Sequence, residues 1–310
     1  MEVISTLSQL HKFSKPCVIA LGTFDGLHRG HVDIIEAARN EAKKQAAILA
    51  VFTFQNHPAS FINPVLVPPA LITKEERRRI FEALGVEVLI EVPFDKELCS
   101  LSPDEFIKKL AAIGFSCLVV GDNFTYGAMG KGNKDSLEKS SEDNGFKLII
   151  RSLVTDEHVA ISSTVIRGQV TNGLVREAGS LLGRYYSLTG IVAHGNERGR
   201  TINFPTANME LVDLKMAVPA VGVYAVLVNI DGKTYQGMAN IGDNPTFGDV
   251  QNKRLEVNIF EFDEDIYGRE ITVAFVQRIR GEVKFSGIEA LKNQLAKDKL
   301  LCKKVLSESK

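Results

Sequence analysis

The sequence predicts an α/β protein in two parts: an N-terminal doubly wound parallel-sheet domain and a small C-terminal antiparallel β-barrel. Three observations predict this. Up to about residue 185, short apolar runs alternate with stretches of helical periodicity, the pattern of a parallel sheet covered on both faces. Beyond that point, short alternating runs are separated by turn residues, with Asp231-Gly232 between two of them, a strong hairpin signal. The chain has 310 residues, enough for two hydrophobic cores. The expected division is 1–185 and 186–310.

The elements follow in order. CVIALG (17–22) is an apolar run ending in glycine and reads as a buried strand. A helix over 31–45 follows, with Ile34, Ile35, Ala38 and Ala42 at helical spacing. AAILAVFTF (46–54) is a second strand. TKEERRRIFEAL (73–84) is a helix opened by Thr73, with Glu76 completing a capping box. VEVLIEVPF (86–94) is a third strand. The next helix (102–113) has Ser102 as cap and Pro103 at its first position. SCLVVG (116–121) and FKLIIRSLV (146–154) complete the strands of this half. Leu174 to Leu182 is a helical connector. The second half carries four strand-like stretches and closes on an amphipathic helix over 286–306.

Composition narrows the class. The net charge is −1, with 45% hydrophobic and 24% charged residues. There is no basic surface pattern for nucleic acid and no overall positive field for an anionic membrane. The run Lys74 to Arg79 alternates in sign and reads as a solvated helix face. Four scattered cysteines contain no CxxC pair, which disfavours a structural zinc site. With neither a signal-peptide core nor an apolar run of membrane length, the expectation is a soluble, reduced, cytoplasmic protein.

The stretch VIALGTFDGLHRGH (18–31) carries the chemistry. Gly22 ends a parallel strand, Gly26 and Gly30 let the backbone approach a ligand, and a helix begins beside His31. Ligands of parallel sheets sit at the carboxyl ends of the strands. A helix N-terminus there attracts an anion. Two imidazoles at that mouth can donate to phosphate oxygens and serve most when negative charge builds on a phosphorus under attack. As a metal pair, His28 and His31 lack a third ligand other than Asp25. As ordinary helix-start residues, they would need no ligand at all.

GTFDGLHRGH resembles the signature of the HxGH nucleotidyltransferases, with His28, Gly30 and His31 as the defining triplet. The longer string is similar to that of bacterial bifunctional riboflavin kinase/FAD synthetases. Further stretches fit that family in order: FTFQNHP (52–58), VVGDNFTYG (119–127), ISSTVIR (161–167), GRTINFPTAN (199–208) and LEVNIFEF (255–262). The resemblance spans essentially the whole chain. It implies an N-terminal FMN adenylyltransferase of the HxGH fold and a C-terminal six-stranded riboflavin-kinase-like barrel. The implied substrates are ATP, riboflavin and FMN, with Mg²⁺ as cofactor and flavoproteins as recipients of FAD.

The same resemblance implies the site residues. His28 and His31 face the ATP phosphates. Gly22, Phe24, Asp25 and Gly30 belong to the same ATP- and flavin-binding turn, and Asn123 is a polar contact to substrate. Taken alone, Asn123 is equally a turn residue tolerating a left-handed backbone. Ser162, Ser163 and Thr164 can cap a helix while their N–H groups face phosphate. Arg167 lies one turn beyond on the same face, within reach of the β- or γ-phosphate. In the second half, Gly199 and Arg200 lie in a loop over phosphates, followed by Pro205. Thr206 and Asn208, two apart in an extended segment, face the same way and can hold Mg²⁺. Glu256 shares a strand face with Asn258, Phe260 and Phe262 and is the candidate general base.

Three departures stand out. Gln55-Asn56 replaces the family's commoner acidic-proline pair. Asn203 stands where the family usually has glycine, and Asn258 where it commonly has histidine. The last two carry the alternative reading, a monofunctional FMN adenylyltransferase with a weak or substrate-restricted kinase half. A flavin- or nucleotide-binding regulator without turnover is disfavoured by phosphate-site residues in two separate places.

Overall fold

In a computed structural model of the chain, residues 1–156, 159–194, 204–243 and 253–308 are described. Contacts divide the chain into two compact units. One is Met1–Pro68 with Ile72–Ser162, and the other is Pro69–Leu71 with Ser163–Lys310.

The first unit is built on six parallel strands: β1 (Glu2–Ile4), β2 (Cys17–Leu21), β3 (Ile48–Phe54), β4 (Val88–Val92), β5 (Phe115–Gly121) and β6 (Lys147–Arg151). Their order is β1-β4-β3-β2-β5-β6. The sheet therefore grows one way from β2 through β3 and β4, and the other way through β5 and β6. The switch point lies between β2 and β5, where open α/β sheets place their ligands. The strand β1 escapes the sequence reading because three residues carry too little periodicity. Only its Ile4 is buried.

Both sheet faces are buried, as their continuous apolar strands require. On one face Val18, Ala20, Leu49 and Val51 pack with Ile35, Ala38 and Ala42 of α1 (Arg29–Gln45) and Phe81 of α3 (Lys74–Ala83). On the other, Ile19, Leu21, Phe52 and Ile90 pack with Phe106, Ile107 and Leu110 of α5 (Pro103–Ala111). The short helices α2 (Ala59–Ile62) and α4 (Lys96–Ser100) lie in the connections, and α6 (Lys134–Asn144) precedes β6. Thr73 caps α3 by accepting the Glu76 N–H, and Ser102 forms a full capping box with Glu105 on α5.

The KEERRR run is a solvated face except at Arg77, which is buried. Arg77 is 9% exposed and Glu91, near the carboxyl end of β4, is 1% exposed. The Arg77 guanidinium bonds both Glu91 Oε1 and the Phe54 carbonyl, and Arg78 Nη2 donates to Glu91 Oε2 at 2.6 Å. The acid that draws Arg77 inward lies on another element, so helix periodicity cannot reveal it. Burial pushes the Glu91 carboxyl up, but the Arg78 hydrogen bond and the Arg77 charge outweigh it and hold it below the usual range. Glu91→Gln leaves a buried guanidinium uncompensated and is expected to cost the first unit about 3–5 kcal/mol. Because the folded pKa is depressed, this stabilisation is present above the ordinary carboxylate range and fades as pH falls through the lowered folded value. Denaturant midpoints of wild type and E91Q between neutral and acid pH check this. An unchanged midpoint at neutral pH rules it out.

The second unit centres on a closed antiparallel barrel of β9 (Tyr186–Ala193), β10 (Ala207–Leu211), β11 (Gly222–Ile230), β12 (Lys233–Asp243), β13 (Lys253–Ile259) and β14 (Glu270–Arg280), in the order β10-β13-β12-β11-β14-β9. The two-residue hairpin falls at Asp231-Gly232, with φ of 47° and 82°, the left-handed pair that a tight turn between twisted strands requires. Tyr224, Val226 and Val228 are fully buried. Val223, Ala225 and Met238, one residue out of phase, pack beneath Cys302 and Leu306 of the C-terminal helix (Ile288–Glu308).

Between the sheet and the barrel come a two-residue hairpin pair, β7 (Thr155–Asp156) and β8 (Val159–Ala160), then helices α7 (Ser163–Thr171) and α8 (Val175–Leu182). The division between units falls at Ser162/Ser163, ahead of the expected 185. The cause is packing: α7 lies on α8, and α8 lies on β14 and β9. The strand run beginning at Tyr186 is the visible change in sequence pattern, and the helices that dock onto it give no such signal.

Candidate active sites

The first site lies at the switch point. Beyond β2, Gly22 N–H donates to the Phe52 carbonyl at 3.2 Å, and Thr53 Oγ1 donates to the Thr23 carbonyl at 2.9 Å. A Cβ on Gly22 would meet the Phe24 ring at 3.0–3.2 Å. Phe24, Gly26 and Leu27 have φ of 49°, 78° and 41°. Two bulky residues in the left-handed region cost on the order of 1–2 kcal/mol each and persist only where packing over-determines them. Both side chains are completely buried, and Phe24 packs edge-on against Phe81. Phe24 is thus a wedge under the turn, with its side chain shut off from the surface.

His28 is the N-cap of α1. Its backbone is extended (φ −72°, ψ 171°), its carbonyl accepts the Val32 N–H at 3.0 Å, and its Nδ1 accepts the His31 N–H at 3.3 Å. An accepting Nδ1 places the proton of a neutral ring on Nε2. The two imidazoles stack 3.6 Å apart, and Phe24 meets His31 edge-on at 5.3 Å. His31 Nδ1 is enclosed with no hydrogen-bond partner. Burial, with His28 adding to it, pushes the His31 pKa well below that of a free imidazole. The ring is therefore neutral at neutral pH and can donate a hydrogen bond while leaving a triphosphate's charge to other donors.

The same sheet edge receives Asn123. In the pairing of β2 with β5, Ala20 aligns with Val119, so the turn after Gly121 emerges beside Gly22. Asn123 is exposed there, outside the left-handed region, and Phe124 N–H donates to the Gly121 carbonyl at 3.1 Å. Asp25 is half-buried in the first turn. A Cβ on Gly30 would lie 3.3 Å from the His28 ring and 3.9 Å from Val154. Val154 accepts the Ile161 N–H at 3.0 Å, which brings Ser162 close to the start of α1. Ser163, Thr164 and Arg167 lie on α7, which belongs to the second unit. Gln55 and Asn56 have structural partners: Gln55 Nε2 donates to the Ser5 and Glu91 carbonyls, and Asn56 exchanges hydrogen bonds with the Phe94 backbone.

The second site lies on the barrel. Asn208 of β10 and Glu256 of β13 are direct cross-strand partners. Arg254 joins them: its Nη2 and Nε reach Asn208 Oδ1 at 2.6 and 3.0 Å, and its Nε reaches Glu256 Oε1 at 2.8 Å. Asn258, 5% exposed, donates from Nδ2 to the Pro205 carbonyl at 2.6 Å, while its Oδ1 is enclosed without a partner. Strand alternation does not carry on to Phe262. β13 ends at Ile259 and Glu261 is left-handed (φ 55°). Phe260 packs under the C-terminal helix, and Phe262 packs edge-on against Tyr235. Glu256 therefore faces a guanidinium, not a row of aromatics. Gly199, Arg200 and Asn203 lie outside the described residues.

A cavity of about 310 Å³ opens beside this site. Ala207, Val257 and Ile259 give it an apolar wall, Pro205 and Thr206 one end, and the segment from Phe262 to Tyr267 another. Asn208 and Glu256, one residue off from Ala207 and Val257, occupy the opposite pleat face. Thr206, just before β10 begins, lines the cavity, and Asn208 is not among the lining residues. The FDEDIY segment (262–267) was missed because it reads as a polar turn. Among the described residues no group of three or more His, Cys, Asp or Glu side chains is placed to hold a metal. The Thr206 hydroxyl and Asn208 amide oxygen are hard donors of the kind Mg²⁺ takes when phosphates and water complete its shell.

A switch-point turn opening a histidine-capped helix, joined in one chain to a closed barrel with its own polar cluster, defines a two-module nucleotide-dependent transferase. The comparisons with known proteins agree. A family model described as FAD synthetase matches residues 10–165, and one described as riboflavin kinase matches residues 182–306. The chain is 41% identical to the bifunctional riboflavin kinase/FMN adenylyltransferase of Bacillus subtilis over 91% of its length and 90% of that protein's. It is 34% identical to the Escherichia coli K12 protein of the same name, over 95% and 94%. The chain belongs to the bifunctional riboflavin kinase/FMN adenylyltransferase family. A solved structure described as a macrolide-efflux protein from Streptococcus pneumoniae is also similar, at 36% identity and a TM-score of 0.89 over 97% of this chain and 98% of that one. Among the described residues here, no helix is long and apolar enough to cross a membrane.

Proposed function

We propose that the first unit joins ATP and FMN to give FAD and pyrophosphate, and that the second transfers the γ-phosphoryl of ATP to the ribityl hydroxyl of riboflavin to give FMN. The observation that carries this is the agreement between the family relationship, which covers both halves, and two polar sites built on two separate folds.

In the first reaction a phosphate oxygen of FMN attacks the α-phosphorus of ATP and pyrophosphate departs, so one P–O bond forms as one breaks. The protein supplies position and charge stabilisation. The stacked imidazole pair and the N-terminal turn of α1 face the phosphates, with Ser162 adding a donor. Gly22, Asp25, Gly30 and Asn123 shape the bed for nucleotide and flavin.

In the second reaction Glu256 takes the hydroxyl proton as the hydroxyl oxygen attacks the γ-phosphorus, the bond to the β–γ bridging oxygen breaks and ADP departs. Thr206 and Asn208 would hold Mg²⁺, which neutralises phosphate charge when bound. The cavity beside Thr206 suits a planar ring against its apolar wall. Gly199, Arg200 and Pro205 precede β10 in sequence and belong to the nucleotide-binding set of this half. ATP, riboflavin and FMN are the partners, the FAD made passes to flavoproteins, and the setting is cytoplasmic.

The test separates the half-reactions. The full chain with Mg²⁺ and ATP is incubated with riboflavin in one vessel and FMN in another, and the flavins are resolved by chromatography. FMN and FAD from riboflavin, and FAD from FMN, are expected. Conversion of FMN alone would instead support a retained but inactive barrel.

A further inference from the structure

We propose that Arg254 is a built-in counter-cation of the barrel site. Without nucleotide it holds the acceptors of Asn208 and Glu256 in register, and it must yield Asn208 when a divalent cation arrives. The proposal rests on the assignment of Asn208 as a metal donor.

Three observations carry it. Two guanidinium nitrogens converge on one oxygen, Asn208 Oδ1, at 2.6 and 3.0 Å. That oxygen has two lone pairs, so both N–H donors together fill the positions a metal would need. The Arg254 Nε also meets Glu256 at 2.8 Å, and the two residues flank Leu255 on one strand face. An arginine released from Asn208 therefore stays tethered beside Glu256. Finally, the Arg254 side chain is 41% exposed, so it can swing away without unpacking the barrel. Two hydrogen bonds to Asn208 and an ion pair to Glu256 give the polar cluster a defined geometry, which lowers the ordering cost when substrate binds. The same bonds oppose the metal, because a guanidinium and a divalent cation repel each other at a shared oxygen.

The sequence signal is only an arginine two residues before the glutamate. Nothing in the strand pattern distinguishes it from a solvated edge charge. Cross-strand register, which places Asn208 opposite Glu256, turns it into part of the site. As it acts through Asn208 and Glu256, Arg254 is a positioning residue.

The test uses the full chain with saturating ADP and riboflavin, a pair that contains no ATP for either reaction. Mg²⁺ is titrated in while flavin fluorescence reports closure of the ternary complex. Arg254→Met is expected to lower the Mg²⁺ midpoint about 3–10-fold, the size of an exposed ion-pair and hydrogen-bond contribution near 1 kcal/mol. Arg254→Lys, which keeps the charge but loses the fork, should fall between Met and wild type. Asn208→Ala should remove the Mg²⁺ response. A midpoint unchanged or raised in R254M, with N208A still abolishing the response, overturns the role of Arg254 and leaves the metal assignment standing. A response intact in N208A overturns the metal assignment and the proposal with it. Thermal melting of each variant identifies a misfolded one, and R254K then carries the comparison.

Discussion

His31→Ala is expected to abolish FAD formation while leaving riboflavin phosphorylation intact. The imidazole occupies the first turn of α1, stacked on His28 and braced edge-on by Phe24. Burial, with His28 adding to it, holds its pKa well below that of a free imidazole, so the ring is neutral at neutral pH. A neutral donor preset at the phosphate mouth strengthens as charge develops in the transition state. Loss of one such donor costs about 10²–10³ in rate. The effect should fall on kcat for adenylyl transfer more than on KM, since the interaction forms most fully in the transition state. FMN production by the same preparation reports whether the chain still folds. His31→Gln, which keeps an N–H donor, separates lost packing from lost donation. If FAD and FMN production fall together in His31→Ala, the two-site assignment is wrong.

The mirror prediction concerns Glu256→Gln. The change keeps size and hydrogen bonding but removes the proton acceptor, and should lower FMN formation from riboflavin by about 10²–10⁴. FAD formation from supplied FMN should stay at the wild-type rate, because Glu256 lies on the barrel and the HxGH turn lies on the sheet. Initial rates with each flavin, resolved by chromatography, decide the matter. Undiminished FMN formation removes Glu256 as the base. Arg254 supplies a further check: its bond to Glu256 should survive in part through the amide oxygen of the Gln variant, so a large rise in KM for ATP is not expected.

Much of this molecule was legible in the chain. Apolar runs of five to seven residues, broken by glycine and followed by helical spacing, are the mark of a parallel sheet buried on both faces. That pattern located β2 to β6 within a few residues. Ser102-Pro103 and Asp231-Gly232 announced a helix start and a hairpin through local chemistry, and the observed cap and left-handed turn carry it out. The glycine and histidine spacing in GTFDGLHRGH placed a turn and a helix start where a nucleotide-binding sheet needs them.

Other features depend on partners far away in sequence. Lys74 to Arg79 is a wet helix face except where Glu91, near the carboxyl end of β4, draws Arg77 inside. Phe24 reads as a site contact, but its left-handed backbone and burial against Phe81 make it the wedge beneath the site. Phe262 reads as a neighbour of Glu256 until the turn at Glu261 ends the alternation. The helices at 163–182 read as the tail of the first half, but their apolar faces are spent on each other and on the barrel.

By itself, then, the sequence determined the two folds, their order, the family and the place of both polar motifs, because these follow from short-range periodicity and turn chemistry. Only the tertiary structure decided which charges are buried, that His28 caps the helix and stacks on His31, and that Arg254 bridges Asn208 and Glu256. Each of these needs two elements brought to one point, and contact between distant residues is set by strand order and register, not by spacing along the chain.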